Sequence, residues 1–170
     1  MILMHKPKLI FLMSGKNSLI LFTLIIFTVT SCLSTKSFEK QEESLIQDYL
    51  KDNPDLNFEL KPSGLYYLET VAGTGPAIET YDTAYIFYTA KYLSNERIFS
   101  TNIGTTDTLI SPIGGYLLEG FEEGVSYMSE GGESLLIVPS YLGYGQSGYY
   151  FPAYTPILYE VSLVKIVRGI

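Results

Sequence analysis

Tyr144 stands between two glycines in Leu142-Gly143-Tyr144-Gly145 and closes the stretch of this 170-residue chain whose residue types and spacing best suggest chemistry. The stretch begins at Leu117 and reads LLEGFEEGVSYMSEGGESLLIVPSYLGYG. It supplies a phenol in a tight turn, an apolar pair at Leu117-Leu118 and an aromatic ring at Phe121. Outside it the reactive inventory is thin. The single histidine is His5 and the single cysteine is Cys32, both near the N-terminus. The remainder therefore has no Cys-His or Ser-His pair for nucleophilic catalysis and no histidine-built metal cluster. One cysteine also forbids an intramolecular disulfide. No metal and no cofactor is expected, and any chemistry must work without those groups.

The spacing also announces the elements that position these residues. Leu118, Phe121, Val125 and Met128 recur at intervals of 3, 4 and 3, one apolar stripe of a short helix. Gly131-Gly132 stops it, and Ser134 to Pro139 is an apolar run of strand length. Upstream, Leu65 to Val71 forms a first strand and Ala72 to Pro76 a turn. Thr83 to Leu93 is a long aromatic strand with Ala84, Ile86, Tyr88, Ala90 and Tyr92 on one face. Arg97 to Thr101 and Thr106 to Ile110 are shorter strands. Pro156 to Val167 ends the chain, with Ile157, Tyr159, Val161 and Leu163 sharing a face. One short helix against several antiparallel strands makes an α+β domain. No internal repeat or low-complexity segment is visible.

The N-terminus has a different character. Lys6, Lys8 and Lys16 precede Leu19 to Val29, 11 residues without charge. That is the length of a signal core and too short for a spanning helix. It ends in Val29-Thr30-Ser31-Cys32, which resembles the lipobox of bacterial lipoproteins, where the cysteine receives diacylglycerol before cleavage. The expected organisation is a lipoprotein signal peptide over 1–31, a tether with a short helix over 32–62 and a folded domain over 63–170, lipid-anchored at Cys32. Its expected place is the bacterial cell envelope, on the periplasmic side of the outer membrane. Met13 would begin a more ordinary 20-residue signal, so the start stays open between Met1 and Met13.

Removing the signal leaves 139 residues, enough for one domain with a real core. All three lost charges are lysines, so Lys plus Arg falls from 11 to 8 against 18 acids and the formal net charge moves from −7 to −10. An acidic chain without a basic patch argues against nucleic acid and anionic lipid headgroups as partners. Leu33 to Glu43 reads as a polar tether. Ser44 to Leu50 carries Leu45, Ile46, Tyr49 and Leu50 on the apolar face of one or two helical turns, ended by Asn53-Pro54. This helix is either a packing accessory or a contact surface for a partner.

The order of Leu117-Leu118-Glu119-Gly120-Phe121-Glu122-Glu123-Gly124, a strand, Pro139 and Leu142-Gly143-Tyr144-Gly145 resembles the FKBP-type peptidyl-prolyl isomerases. Their pattern runs apolar-apolar-x-Gly-aromatic-Glu-x-Gly, strand, Pro, then Leu-x-Tyr-Gly. The resemblance covers Ser63 to Ile166 and implies an FKBP-like antiparallel half-barrel sheet wrapped around one short helix. It also implies a pocket. Tyr88, in Phe87-Tyr88-Thr89, belongs on its wall, and Phe99 is the aromatic following the turn at Ser94-Asn95-Glu96. Leu117 and Leu118 are the apolar pair whose second backbone N–H meets a substrate carbonyl. Phe121 forms the floor, and the Tyr144 hydroxyl reaches another substrate carbonyl. Phe151-Pro152-Ala153 makes the lip and Tyr159 the far wall. This chain departs from the family at four positions. Ser100 replaces an aspartate, Phe121 a tryptophan, Ala90 a glycine and Ala153 a proline.

The activity so implied is rotation about prolyl bonds, in which no covalent bond is made or broken. Its partners would be X-Pro segments of client proteins and macrolide ligands, with the membrane reached only through the lipid on Cys32. A lipid-anchored isomerase assisting folding of envelope or exported proteins is one reading. The alternative is a catalytically weak FKBP-like binding module or chaperone in an envelope (gliding or secretion) complex; the resemblance of short FKBP-like lipoproteins of this kind to gliding-motility lipoproteins favours neither reading. Ser100 leans toward the second reading; Tyr144, Phe99 and the intact Leu117-Leu118 pair lean toward the first.

Overall fold

Alternating apolar residues build a seven-stranded sheet in the computed structural model, which describes residues 36–146 and 151–169. The chain divides into two units, Met1–Phe38 and Glu39–Ile170, and the sheet belongs to the second. Cys32, the uncharged Leu19 to Val29 segment and the expected cleavage site lie outside the described residues.

The strands are β1 (Glu59–Leu60), β2 (Tyr66–Val71), β3 (Thr83–Tyr92), β4 (Ile98–Thr101), β5 (Leu109–Pro112), β6 (Glu133–Val138) and β7 (Ile157–Val167). Their order is β1-β2-β6-β7-β3-β4, every pairing antiparallel. The outer edge of β3 is shared, with β5 along Thr83 to Ile86 and β4 along Thr89 to Lys91. A helix, α1, covers 36–52 of the described residues, and α2 spans Glu119–Ser126. A single 3-10 turn, Ser140–Leu142, follows β6. The α+β class and the antiparallel sheet are as expected.

Period-2 alternation sorts the sheet into two faces. One buries Leu65, Ala84, Ile86, Leu136, Val138, Ile157, Tyr159, Val161 and Leu163 against Phe121, Val125 and Met128 of the α2 stripe. Helix and sheet approach closely because α2 meets β6 through glycines. A Cβ on Gly124 would lie 2.4 Å from Leu136 Cδ1, and one on Gly120 would lie 2.7 Å from Val138 Cγ1.

The opposite face holds the main correction to the sequence reading. Among the described residues the helix near Ser44 already covers 36–43, which are helical rather than a polar tether. Its packing follows from Ile46, 1% exposed, which sits with Tyr66, Leu93, Ile137 and Leu158, flanked by Leu45, Tyr49 and Leu50. The polar first turns gave no apolar period because their anchor is a carboxylate. Glu42 is buried and accepts hydrogen bonds from the Ser140 N–H and, at 2.7 Å, from its hydroxyl. Among the described residues the domain therefore carries two α-helices, one on each face, and α1 is a packing element.

Smaller differences follow from local hydrogen bonding. The strand expected at Thr106 to Ile110 falls instead at Leu109–Pro112. Thr105 and Asp107 are used in the turn, where Asn102 Nδ2 donates to the carbonyls of Ile86 and Asp107. The two-residue β1 was not expected at all. No described helix is long and apolar enough to cross a membrane.

Candidate functional site

The register of the central strands decides what meets at the mouth of the sheet. Ala90 pairs with Tyr159 and Tyr88 with Val161, so Tyr88 and Tyr159 are diagonal neighbours on the α2 side, ring centroids 6.3 Å apart. Phe121, in the first turn of α2, projects between them, 5.9 Å from Tyr88 edge to face and 4.8 Å from Tyr159. These three rings form the base of a cavity of about 160 Å³. Leu117 and Leu118 wall it where the chain enters α2, and Phe99 and Ser100 wall it from β4. Tyr144 closes it from the turn after Leu142.

Eight of the nine residues singled out above therefore line one cavity: Tyr88, Phe99, Ser100, Leu117, Leu118, Phe121, Tyr144 and Tyr159. The ninth, Phe151, stands beside it in an aromatic rim. Its ring is 4.5 Å from Tyr144, 4.9 Å from Phe99 and 5.3 Å, stacked, from Tyr92. Ala90 and Leu109 also line the cavity. Ala90 was read as sharing a strand face with Tyr88 and as a family departure, not as a site residue. Leu109 was assigned to a strand whose register the sequence misplaced, so no facing could be derived for it.

Among the described residues, no charged side chain lines this cavity. Ser100 Oγ lies 2.9 Å from the Tyr88 hydroxyl, so a neutral hydrogen bond occupies the place where the family's aspartate was expected. Burial pushes the Tyr159 phenol well above its ordinary range, with the neighbouring hydroxyls of Tyr144 and Tyr88 adding to the effect. Tyr144 is raised for the same leading reason. Both are neutral donors at physiological pH. The Leu118 backbone N–H has no hydrogen-bond partner among the described residues, whereas its carbonyl accepts from Glu122 N–H at 2.9 Å. Asn102 fixes the wall from behind. Its Oδ1 accepts the Tyr88 N–H at 2.7 Å, and its own N–H donates to the Tyr88 carbonyl at 3.2 Å.

An aromatic recess with neutral hydroxyls and one free amide can enclose an apolar ring and hold the carbonyls beside it. It offers no general base. A larger cavity, about 560 Å³, opens between α1 and the turn after β6, but Glu39, Glu42 and Glu43 line it and set it apart from this neutral site. No cluster of three or more His, Cys, Asp or Glu that could hold a metal occurs among the described residues.

Residues 75–164 match the family model described as FKBP-type peptidyl-prolyl cis-trans isomerase. The peptidyl-prolyl cis-trans isomerase Mip of Chlamydia muridarum is 30% identical over 143 residues, covering 81% of this chain and 58% of that one. An FK506-binding protein of Neisseria meningitidis serogroup B is 32% identical over 84 residues, 48% of this chain and 76% of that one. The chain thus spans about half the length of the Mip relatives. Among solved structures, the peptidyl-prolyl cis-trans isomerase of Pseudomonas syringae pv. tomato superposes with TM-score 0.66 at 19% identity, covering 79% of this chain and 96% of that one. FkpA of Escherichia coli gives 0.68 at 21% identity, over 91% and 74% respectively. These likenesses establish the shared fold.

Proposed function

The chain belongs to the FKBP-type peptidyl-prolyl cis-trans isomerase family, and from that membership we propose that it catalyses rotation about X-Pro bonds of client polypeptides. The observation that carries this reading is the neutral aromatic cavity over which the Leu118 N–H and the Tyr144 hydroxyl stand as donors.

The barrier to prolyl rotation, about 18–20 kcal/mol, arises from amide resonance that holds the bond planar. In the twisted state the nitrogen becomes pyramidal and the carbonyl dipole shrinks. A cavity floored by Tyr88, Phe121 and Tyr159 disfavours the polar planar amide relative to that less polar state. The Leu118 amide and Tyr144 hold the flanking carbonyls while the proline ring stays seated. This is differential binding of the transition state, and a thousandfold acceleration needs only about 4 kcal/mol. The test is a protease-coupled isomerisation assay on the full chain. Acceleration that disappears in Tyr144→Ala and Phe99→Ala, with folding retained, supports the reading; a rate equal to the uncatalysed one refutes it.

A second reading, a binding module that seats proline segments or macrolides without turning them over, is favoured by Ser100, which stands where the family has a carboxylate and leaves none among the described lining residues. In that case peptide affinity would persist at an uncatalysed rate. In either case the cellular setting proposed is the bacterial envelope, outer membrane, periplasmic side, with lipid on Cys32 and clients among envelope or exported proteins. The lipobox-like Val29-Thr30-Ser31-Cys32 supports that placement. Cys32→Ser should abolish lipidation and shift the protein out of the detergent phase, and partitioning like wild type would rule the anchor out.

A further inference from the structure

Glu122 lines no part of the aromatic cavity, yet it organises the backbone of one wall. Its carboxylate accepts hydrogen bonds from four consecutive N–H groups. Oε1 takes Gly114 at 3.0 Å and Gly115 at 2.6 Å; Oε2 takes Tyr116 at 3.0 Å and Leu117 at 3.1 Å. Four successive amides can converge on one anion only if the chain curls back on itself. The curl is made by Gly114 at φ +143° and Gly115 at φ +100°, where L side chains are strained. Burial pushes the Glu122 carboxyl up, but the four amides outweigh it and hold it below the usual carboxylate range.

The fifth amide in the series belongs to Leu118, and it is the one left without a partner among the described residues. Leu118 is gripped on both sides by the same residue. The amide preceding it is bound by the Glu122 carboxylate, and its own carbonyl is bound by the Glu122 N–H at 2.9 Å. We propose that Glu122 is a positioning residue for prolyl isomerisation. It consumes the amides from Gly114 to Leu117, so that the Leu118 N–H alone of this series is presented, in a fixed direction, to the substrate carbonyl. This rests on the isomerase reading above.

Glu122→Gln tests it, because the amide nitrogen of glutamine is a donor and cannot accept from half of the four N–H groups. Two measurements are made on the full chain with an X-Pro tetrapeptide: kcat/KM by the protease-coupled assay, and the shift of the Leu118 amide proton on peptide binding by NMR. In wild type the Leu118 proton should move downfield as its hydrogen bond forms. In E122Q that movement should fall by at least half, with kcat/KM reduced about tenfold, as expected for one misdirected hydrogen bond. Glu122→Asp keeps the charge but reaches fewer amides and should fall between; it carries the test if E122Q melts below the assay temperature. A folded variant with an unchanged Leu118 shift overturns the assignment, whatever its rate. A wild type that neither binds nor accelerates overturns the isomerase reading and this inference with it.

Discussion

Ser100→Asp restores the carboxylate that the family places beside the rotating amide, and the structure fixes what it should do. Ser100 is half-buried, and its hydroxyl already pairs with Tyr88 at 2.9 Å. Aspartate keeps the Cβ and puts an anion within reach of the same phenol, so the bond becomes charge-assisted. Such a bond contributes about 1.5–3 kcal/mol, against about 0.5–1.5 for the neutral one. Partial desolvation of the anion among Phe99, Leu117 and Phe121 opposes this by about 1–3 kcal/mol. The two nearly cancel, with the loss ahead, so the domain should be destabilised on the order of 1 kcal/mol in urea denaturation. In the reaction, Tyr88 is held more firmly and the anion faces the amide carbon. A tenfold gain in kcat/KM requires only about 1.4 kcal/mol selective for the twisted state, while peptide affinity should stay within a few-fold. The assay is the protease-coupled measurement on both chains. Equal, accelerated rates would refute the reasoning and show that the Tyr88–Ser100 bond already suffices. Rates at the uncatalysed value in both would place the protein among the binding modules.

Phe99→Ala should weaken binding of an X-Pro peptide by up to about 1.5–3 kcal/mol, read by calorimetric titration, since it removes a wall of the cavity and a neighbour of Phe151. Tyr144→Ala should cost as much and should lower the rate as well, through loss of the hydroxyl donor. Gly124→Ala should destabilise the domain by about 1–3 kcal/mol in chemical denaturation, because the added methyl would press on Leu136 at 2.4 Å. Acid should destabilise the fold. Asp82, despite burial, is held below its ordinary value by the amides of Glu79 and Gly169 and by Arg168, and Glu122 by its four amides. The unfolded chain therefore takes up protons first, so thermal stability should be level near neutrality and fall as pH drops below the ordinary carboxylate range. E122Q should flatten part of that slope; an unchanged profile would contradict the Glu122 geometry.

Much of the site could be read directly from the chain because its parts lie at fixed local offsets. Leu117, Leu118 and Phe121 are set by one helical start, and Tyr144 by a short turn after β6. Tyr88 and Tyr159 follow from alternation on two long strands. What the sequence did not reveal depends on contacts between distant segments. Glu42 binding Ser140 spans 98 positions, and no periodicity announces it. It turned an apparent tether into the start of a helix. No facing was derived for Leu109, because the Thr105 hydroxyl bonds the backbone of Asp107 and β5 begins three residues later than expected. Glu122 entered the sequence reading only as the glutamate of the family pattern, since one carboxylate gathering four amides depends on how Gly114 and Gly115 curl.

Phe121 at the base of the cavity also determines how the molecule can be observed. The chain has 15 tyrosines and no tryptophan, so its ultraviolet emission is entirely phenolic. Three of those phenols, Tyr88, Tyr144 and Tyr159, surround the cavity. A ligand that engages their hydroxyls would perturb near-ultraviolet absorbance against a background free of indole. Phe121→Trp would then install a solitary chromophore on the cavity floor, 4% exposed in the native ring it replaces, whose emission colour would register water leaving as a proline enters.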